Sequence, residues 1–299
     1  MEQNTVEATE QMEVFRFTSI RDLVNQTLQQ NFGQGAAISG LSTGFRALDV
    51  ATDGLHKGHL ITIAVRPGMG KTAFLLSLAN NMAVRNDFTI AIFSAERSNE
   101  KMMKRILESE TGMSLDRLQS GIFRPSEKDH LLSLVSNIAK ANILLDDSQE
   151  LTIDDLEKKS RQLKDVHHVD LVIIDYLELF SVGTTDPDGR GEVLAGIVSR
   201  LAAVARELNI PVLLFSQIPS VFPSFGQMKH PTLSEIPVYL RDLSDVVIFL
   251  HRSGIGRSNG HTIGKSTVEM VVAKHPDPAR MSVVPIDYIE STAKFVDLS

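Results

Sequence analysis

Cysteine is absent from this 299-residue chain, which excludes disulfides and every thiolate-ligated zinc or iron–sulfur site and fits a reducing compartment. Long hydrophobic runs are absent too, and no uninterrupted apolar stretch reaches the ~20 residues that cross a bilayer. The first residues carry Glu2, Glu7 and Glu10 in place of the basic-then-apolar order of a secretory signal. These absences predict a cytoplasmic protein with no membrane partner. Positive charge is also in short supply, since 30 Lys and Arg face 37 Asp and Glu for a net charge of −7. A chain held to DNA by bulk electrostatics has the opposite balance, although a few basic and amide groups gathered on inner loops escape this argument. Internal repeats and low-complexity tracts are missing, and 42% apolar content is ample for a globular core.

What is present divides into two parts, a polar tail with an amphipathic helix over 1–35 and one larger domain over 36–299. In the first, Ser19-x-x-Asp22 forms a capping-box pattern, Ile20, Val24 and Leu28 share a face with Leu23 beside them, and Gly33 and Gly35 end the helix. That apolar stripe has two readings, packing on its own domain or docking on a neighbouring subunit. In the larger part, short β-branched runs alternate with helical patterns. Strands are expected at 60–65, 89–94, 171–175, 211–216, 246–250, 267–273 and 281–286, with helices at 73–85, 99–110, 126–139, 152–164 and 192–209. The last helix is the clearest, with Leu194, Ile197, Val198, Leu201, Val204, Ala205 and Leu208 in helical period. Alternating strands and helices, with several strands almost free of polar residues, predict an α/β fold with a mostly parallel twisted sheet flanked by helices. The Gly- and Ser-rich stretch 253–264 reads as a loop.

The chemistry gathers after the first strand, where the chain reads Val65-Arg66-Pro67-Gly68-Met69-Gly70-Lys71-Thr72 and enters a helix at Ala73. Gly68 and Gly70 let backbone N–H groups turn inward, and the helix N-terminus adds positive partial charge. Lys71 is placed to reach β- and γ-phosphates and the Thr72 hydroxyl to ligate Mg²⁺. Val65 stands where such loops carry their first glycine. Further on, Leu171-Val172-Ile173-Ile174-Asp175 is an apolar strand ending in a carboxylate, which a parallel sheet delivers to the same edge and to the same Mg²⁺. Glu96 and Gln217 also follow buried strands at that edge, Glu96 to polarise an attacking water and Gln217 to sense the γ-phosphate. Each alone also fits an ordinary loop residue. His167 and His168 read as helix-end surface residues, since no second ligand set has a matching spacing.

With these pieces, the chain resembles the C-terminal motor domain of DnaB-type replicative helicases, a branch of the RecA-like P-loop ATPases, from about Leu41 onward. Ser42-Thr43-Gly44-Phe45, Leu48-Asp49 and Gly54-Leu55 look like that family's lead-in. Ala64 to Thr72 looks like its phosphate loop, Phe93-Ser94-Ala95-Glu96 like the segment of its catalytic glutamate, Ile174 to Leu179 like its Mg²⁺ strand and Ser216-Gln217 like its glutamine switch. The resemblance implies a homo-oligomeric ring, a hexamer, with ATP and Mg²⁺ between subunits and single-stranded DNA as a further partner. It implies nucleotide contacts from Arg66, Pro67, Gly68, Met69, Gly70, Lys71, Thr72, Ala73 and Lys274, metal ligation by Thr72 and Asp175, and catalysis by Glu96, Lys71 and Gln217. It also makes the 20–28 helix the linker that docks on a neighbour.

Departures accompany the matches. No counterpart of the family's primase-binding N-terminal domain is expected in this chain. Ile218-Pro219-Ser220 replaces Leu-Asn-Arg, and Leu233-Ser234-Glu235-Ile236-Pro237-Val238 replaces a DNA-holding Asp-Leu-Arg-Glu-Ser-Gly segment. Lys274-His275-Pro276-Asp277-Pro278 stands for the Lys-x-Arg-Asn-Gly run of the arginine finger: Lys274 is retained and the arginine is not, and Arg280 is a candidate substitute against which Pro276 and Pro278, fixing the backbone before it, count. Two functions from different classes follow: ATP hydrolysis coupled to DNA unwinding, or a nucleotide-binding assembly module with weak ATPase activity. A third, a small-molecule kinase, needs a lid and an acceptor site that the sequence does not offer.

Overall fold

The computed structural model describes residues 38–94, 96–148, 151–179, 187–218, 230–252 and 265–298. The expected helix at Ile20, Val24 and Leu28, the loop at 253–264, and Ala95, Pro219 and Ser220 lie outside them. Among the described residues one sheet runs through the chain. Its strands are β1 (Leu60–Val65), β2 (Ile90–Ser94), β3 (Ile143–Asp146), β4 (Leu171–Asp175), β5 (Val212–Gln217), β6 (Val246–His251), β7 (Lys265–Lys274), β8 (Ser282–Ile289) and β9 (Lys294–Val296). Their spatial order is β3-β2-β4-β5-β1-β6-β7-β8-β9. The first six in that order pair in parallel and the last three add antiparallel, which bears out the mostly parallel sheet. Sequential strands β1 and β2 are separated by β4 and β5, so the crevice beside the carboxyl end of β1 is where such sheets take ligands.

Parallel strands need crossovers, and helices supply them on both faces. The helices are α1 (Arg46–Thr52), α2 (Lys71–Asn80), α3 (Asn99–Thr111), α4 (Leu115–Ser120), α5 (Pro125–Lys140), α6 (Ile153–His167), α7 (Pro187–Leu208) and α8 (Val238–Leu243). On one face the predicted stripe of α7, Leu194, Ile197, Val198, Leu201 and Ala205, packs on Leu60, Val172, Val212 and Phe249. On the other, Phe74, Leu75 and Leu78 of α2 pack with Phe45, Ile63, Phe215 and Phe295. The helix expected over 73–85 is α2 followed by a wider π-helical turn at Asn81–Arg85. Sequence periodicity missed β3 and β9, of four and three residues, and α1, α4 and α8, of six or seven, helices of about two turns or fewer that repeat no apolar stripe. No helix of the described residues is long and apolar enough to cross a membrane.

Two clasps hold the phosphate-loop side of this sheet. The Ser42-Thr43-Gly44-Phe45 and Leu48-Asp49 lead-in is one: buried Asp49 accepts from Thr43 N at 2.7 Å, Thr43 Oγ1 at 2.6 Å and Ser42 Oγ at 2.7 Å. Gly44 turns there at φ 77° with Asn81 Cβ 2.6 Å from where its own Cβ would be, so the motif is a structural corner. The other is the β8–β9 hairpin. The Phe295 N–H donates to Ser77 Oγ at 3.0 Å, and its buried ring meets Phe74 edge-on at 5.5 Å. The same ring lies 3.1 Å from a Cβ at Gly70, which sits at φ 95°. Phe295→Leu should therefore cost about 1–3 kcal/mol in urea unfolding and weaken nucleotide binding by loosening Gly70. Unchanged stability would show that the ring does not support the loop.

Candidate nucleotide-binding site

The ladder registers bring the predicted strand ends to one edge. Val65 pairs with Gln217 on one side and with Leu250 on the other, while Ser94 pairs with Asp175. From Val65 the loop turns through Gly68 at φ 79° and Gly70 at φ 95° into α2, whose first N–H groups have no intrahelical acceptor. The turn lines a cleft of about 400 Å³ with Val65, Arg66, Pro67, Gly68, Gly70, Lys71, Thr72 and Ala73, together with Glu96, Arg97, Arg105, Gln217, Tyr288 and Ala293. Met69 belongs to this loop by sequence, yet its side chain is buried in the core, so only its backbone is available to a ligand.

Lys71 is the hub of the cleft. Its ammonium donates to Glu96 Oε2 at 2.8 Å and to Asp175 Oδ1, and it lies 3.9 Å above the centre of the Tyr176 ring. Asp175 is 1% exposed, and burial pushes its carboxyl above the ordinary aspartate range although the charge and hydrogen bond of Lys71 oppose this. Burial also raises Glu96, but the hydrogen bond and charge of Lys71, with Arg97 and Arg105 behind, more than offset it, so Glu96 lies below the usual glutamate value. It is a carboxylate at neutral pH.

Two buried polar atoms at this edge have no protein partner, Asp175 Oδ2 and the hydroxyl oxygen of Ser94. A buried carboxylate oxygen without a donor is costly unless a cation or water meets it. Asp175 Oδ2 and the Thr72 hydroxyl at the start of α2 are oxygen donors of the kind a hard cation such as Mg²⁺ takes.

Not every residue singled out in the sequence offers its side chain to this cleft. The guanidinium of Arg66, 7% exposed, pairs with Glu235 Oε2 at 2.5 Å, so it fastens the loop to the 3₁₀ turn Leu233–Glu235. Gln217 reaches the cleft, and its N–H donates to Glu178 at 3.2 Å while Ser216 Oγ donates to the same carboxylate at 2.5 Å. Burial holds Glu178 above its ordinary value despite those two donors. Lys274 is elsewhere. It faces Val247, near the amino end of β6 and hence at the edge opposite the phosphate loop. Its ammonium donates to the carbonyls of Arg241 at 2.7 Å, Asp242 at 3.3 Å and Ser244 at 2.6 Å, so it caps α8 and is no ligand of its own chain's loop. Arg280 donates to the Val50 carbonyl at 2.9 Å and lies 3.6 Å from Asp53 and 3.7 Å from Asp277. His167 and His168 are exposed at the end of α6, as expected.

The sequence did not mark Tyr288, Ala293, Arg97 or Arg105. Tyr288 reaches the cleft from the antiparallel part of the sheet, with the Arg252 guanidinium 5.0 Å over its ring; no local spacing connects it to the loop.

The model of the DnaB-like helicase C-terminal domain matches residues 40–297. The replicative DNA helicase DnaB of Geobacillus stearothermophilus is 31% identical over 94% of this chain and 62% of that protein. The replicative DNA helicase DnaC of Bacillus subtilis is 29% identical over 99% of this chain and 66% of that protein. The chain thus spans somewhat less than two thirds of these relatives. Among solved structures, the ATPase domain of G40P aligns with a TM-score of 0.76 at 28% identity, covering 95% of this chain and 100% of that one. A DnaB-like replicative helicase, described with its interactions with primase, aligns with a TM-score of 0.75 at 27% identity, covering 95% and 68%. The fold is therefore RecA-like, as the sequence led us to expect.

Proposed function

We propose that this chain, which belongs to the family of DnaB-like helicase C-terminal domains, hydrolyses ATP in the cytoplasm and couples the hydrolysis to unwinding of DNA as a ring of like subunits. The observation that carries the reading is the convergence of Lys71, Glu96 and Asp175 at the mouth of the phosphate loop. The N–H groups from Gly68 to Ala73 receive the phosphates, and Lys71 leaves its two carboxylates for the β- and γ-phosphate oxygens. Thr72 and Asp175 Oδ2 would hold Mg²⁺, and a cation bound there would supply positive charge to the phosphate oxygens. Release of Lys71 frees Glu96 to take a proton from the attacking water. Gln217 senses the γ-phosphate and passes its state to Glu178 through the 3.2 Å N–H contact. Tyr288, backed by Arg252, offers an aromatic face to the base.

Ring assembly and single-stranded DNA come to the proposal through the family. At the sheet edge opposite the loop, a neighbour's nucleotide would meet Lys274 and Arg280. Arg280, with one carbonyl bond and two ion contacts beyond 3.5 Å, is more easily released than triply engaged Lys274. Arg280→Ala should lower turnover about tenfold or more in assembled samples and leave ATP affinity unchanged, since a finger acts in trans on transition-state charge. Lys274→Ala should reduce melting temperature more than turnover. Equal turnover of Arg280→Ala and wild type at matched assembly would remove the finger role and favour the assembly-module reading.

A further inference from the structure

A second cluster of ligating side chains lies on the β6–β7 pair, outside the set assigned to ATP. His251, the last residue of β6, faces Glu269 of β7 directly across the antiparallel ladder. Residues opposite one another in such a ladder project to the same side, with Cβ atoms ~5 Å apart. His230, ahead of the turn at Leu233–Glu235, adds a third group. Its Nε2 lies 2.8 Å from Glu269 Oε2, and its ring meets that of His251 edge-on with centroids 5.2 Å apart. One ligand atom from each of the three falls within 4.8 Å of the others.

We propose that His230, His251 and Glu269 form a site for a divalent transition-metal ion of the zinc class. Two imidazole nitrogens and one carboxylate oxygen, from three separate elements, are a donor set that zinc takes with one position left open. Donors ~2.1 Å from a tetrahedral ion stand ~3.4 Å apart, so the His230–Glu269 pair, at 2.8 Å, must part slightly, and any separation nearer the 4.8 Å limit must close. The structure permits this: His251 is 1% exposed and fixed by the sheet, while His230 is exposed and Glu269 half-buried. A hard cation such as Mg²⁺, which takes oxygen ligands, is a poor match for two imidazoles. The ion would join the end of β6 to the segment carrying Glu235, whose carboxylate holds Arg66 of the phosphate loop at 2.5 Å. It would therefore brace the loop from outside the nucleotide cleft.

The competing account is a plain His230–Glu269 ion pair, and metal titration separates the two. The untagged full chain, stripped with chelator and free of nucleotide, is titrated with Zn²⁺ by calorimetry and with Co²⁺ by visible absorption. The expected result is one Zn²⁺ per chain with a Kd at or below about 1 μM and a Co²⁺ spectrum of low-symmetry, four- or five-coordinate character. Both His230→Gln and Glu269→Gln change accessible side chains with little change of shape, and each should weaken Zn²⁺ by at least about tenfold and abolish the Co²⁺ bands. His56→Ala, at the other close histidine pair, where the His56 and His59 rings are 5.3 Å apart, should change neither. Circular dichroism establishes that each variant is folded. Absence of Zn²⁺ binding to the wild type, or equal Zn²⁺ affinity in the folded His230→Gln and Glu269→Gln variants, would overturn the site and leave the ion pair.

Discussion

Glu96→Gln should bind ATP about as tightly as the wild type and lose turnover by about 10²- to 10⁴-fold, the usual contribution of a general base. The amide keeps the shape of the side chain, and its oxygen can still accept the 2.8 Å hydrogen bond from Lys71. What it loses is the capacity to take a proton: wild-type Glu96, held below the ordinary value by Lys71 against the upward push of burial, is ionised and accepts one once Lys71 turns to the phosphates. Binding measured by calorimetry and turnover measured on the same sample decide the matter. Loss of both together would make Glu96 a structural partner of Lys71 and nothing more.

Lys71→Ala should raise the Kd for ATP by roughly 30- to 1000-fold, equivalent to about 2–4 kcal/mol for a desolvated charge contact. A second effect follows from what the lysine touches. Without its ammonium, Asp175, already raised by burial, loses the contact that opposes the rise and still faces the negative Glu96. A buried carboxyl in that position takes up a proton rather than remain charged and unpaired. Its loss as an anion weakens the Mg²⁺ site too, so excess Mg²⁺ should rescue binding only in part. Unchanged affinity in a folded Lys71→Ala protein would remove the phosphate assignment from this loop.

The site was legible in the sequence to the extent that parallel strands put their carboxyl ends on one edge. Asp175, Glu96 and Gln217 could be placed beside Gly68–Thr72 from that rule alone, and the Ser94↔Asp175 and Val65↔Gln217 registers agree with it. Side-chain direction was not legible. Met69 and Arg66 lie in the loop motif, yet one is core and the other is spent on Glu235, because the loop's partners come from distant turns. The family motif ties Lys274 to a nucleotide held between subunits, but only the antiparallel pairing of β7 with β6 shows that it lies at the edge away from its own chain's loop. Tyr288 and Phe295 were missed for the same reason, since the β8–β9 hairpin reaches the loop only through tertiary packing.

In the proposed function this nucleotide site drives a DNA motor. Steady-state ATP hydrolysis by the full chain, with and without single-stranded DNA and with assembly followed by light scattering, tests it most directly. Turnover should depend on Mg²⁺ and rise on adding DNA, only in assembled samples and only with Glu96 and Lys71 intact. Assembled protein that binds ATP yet hydrolyses it no faster with DNA than without would contradict the motor and leave a nucleotide-binding assembly module in its place.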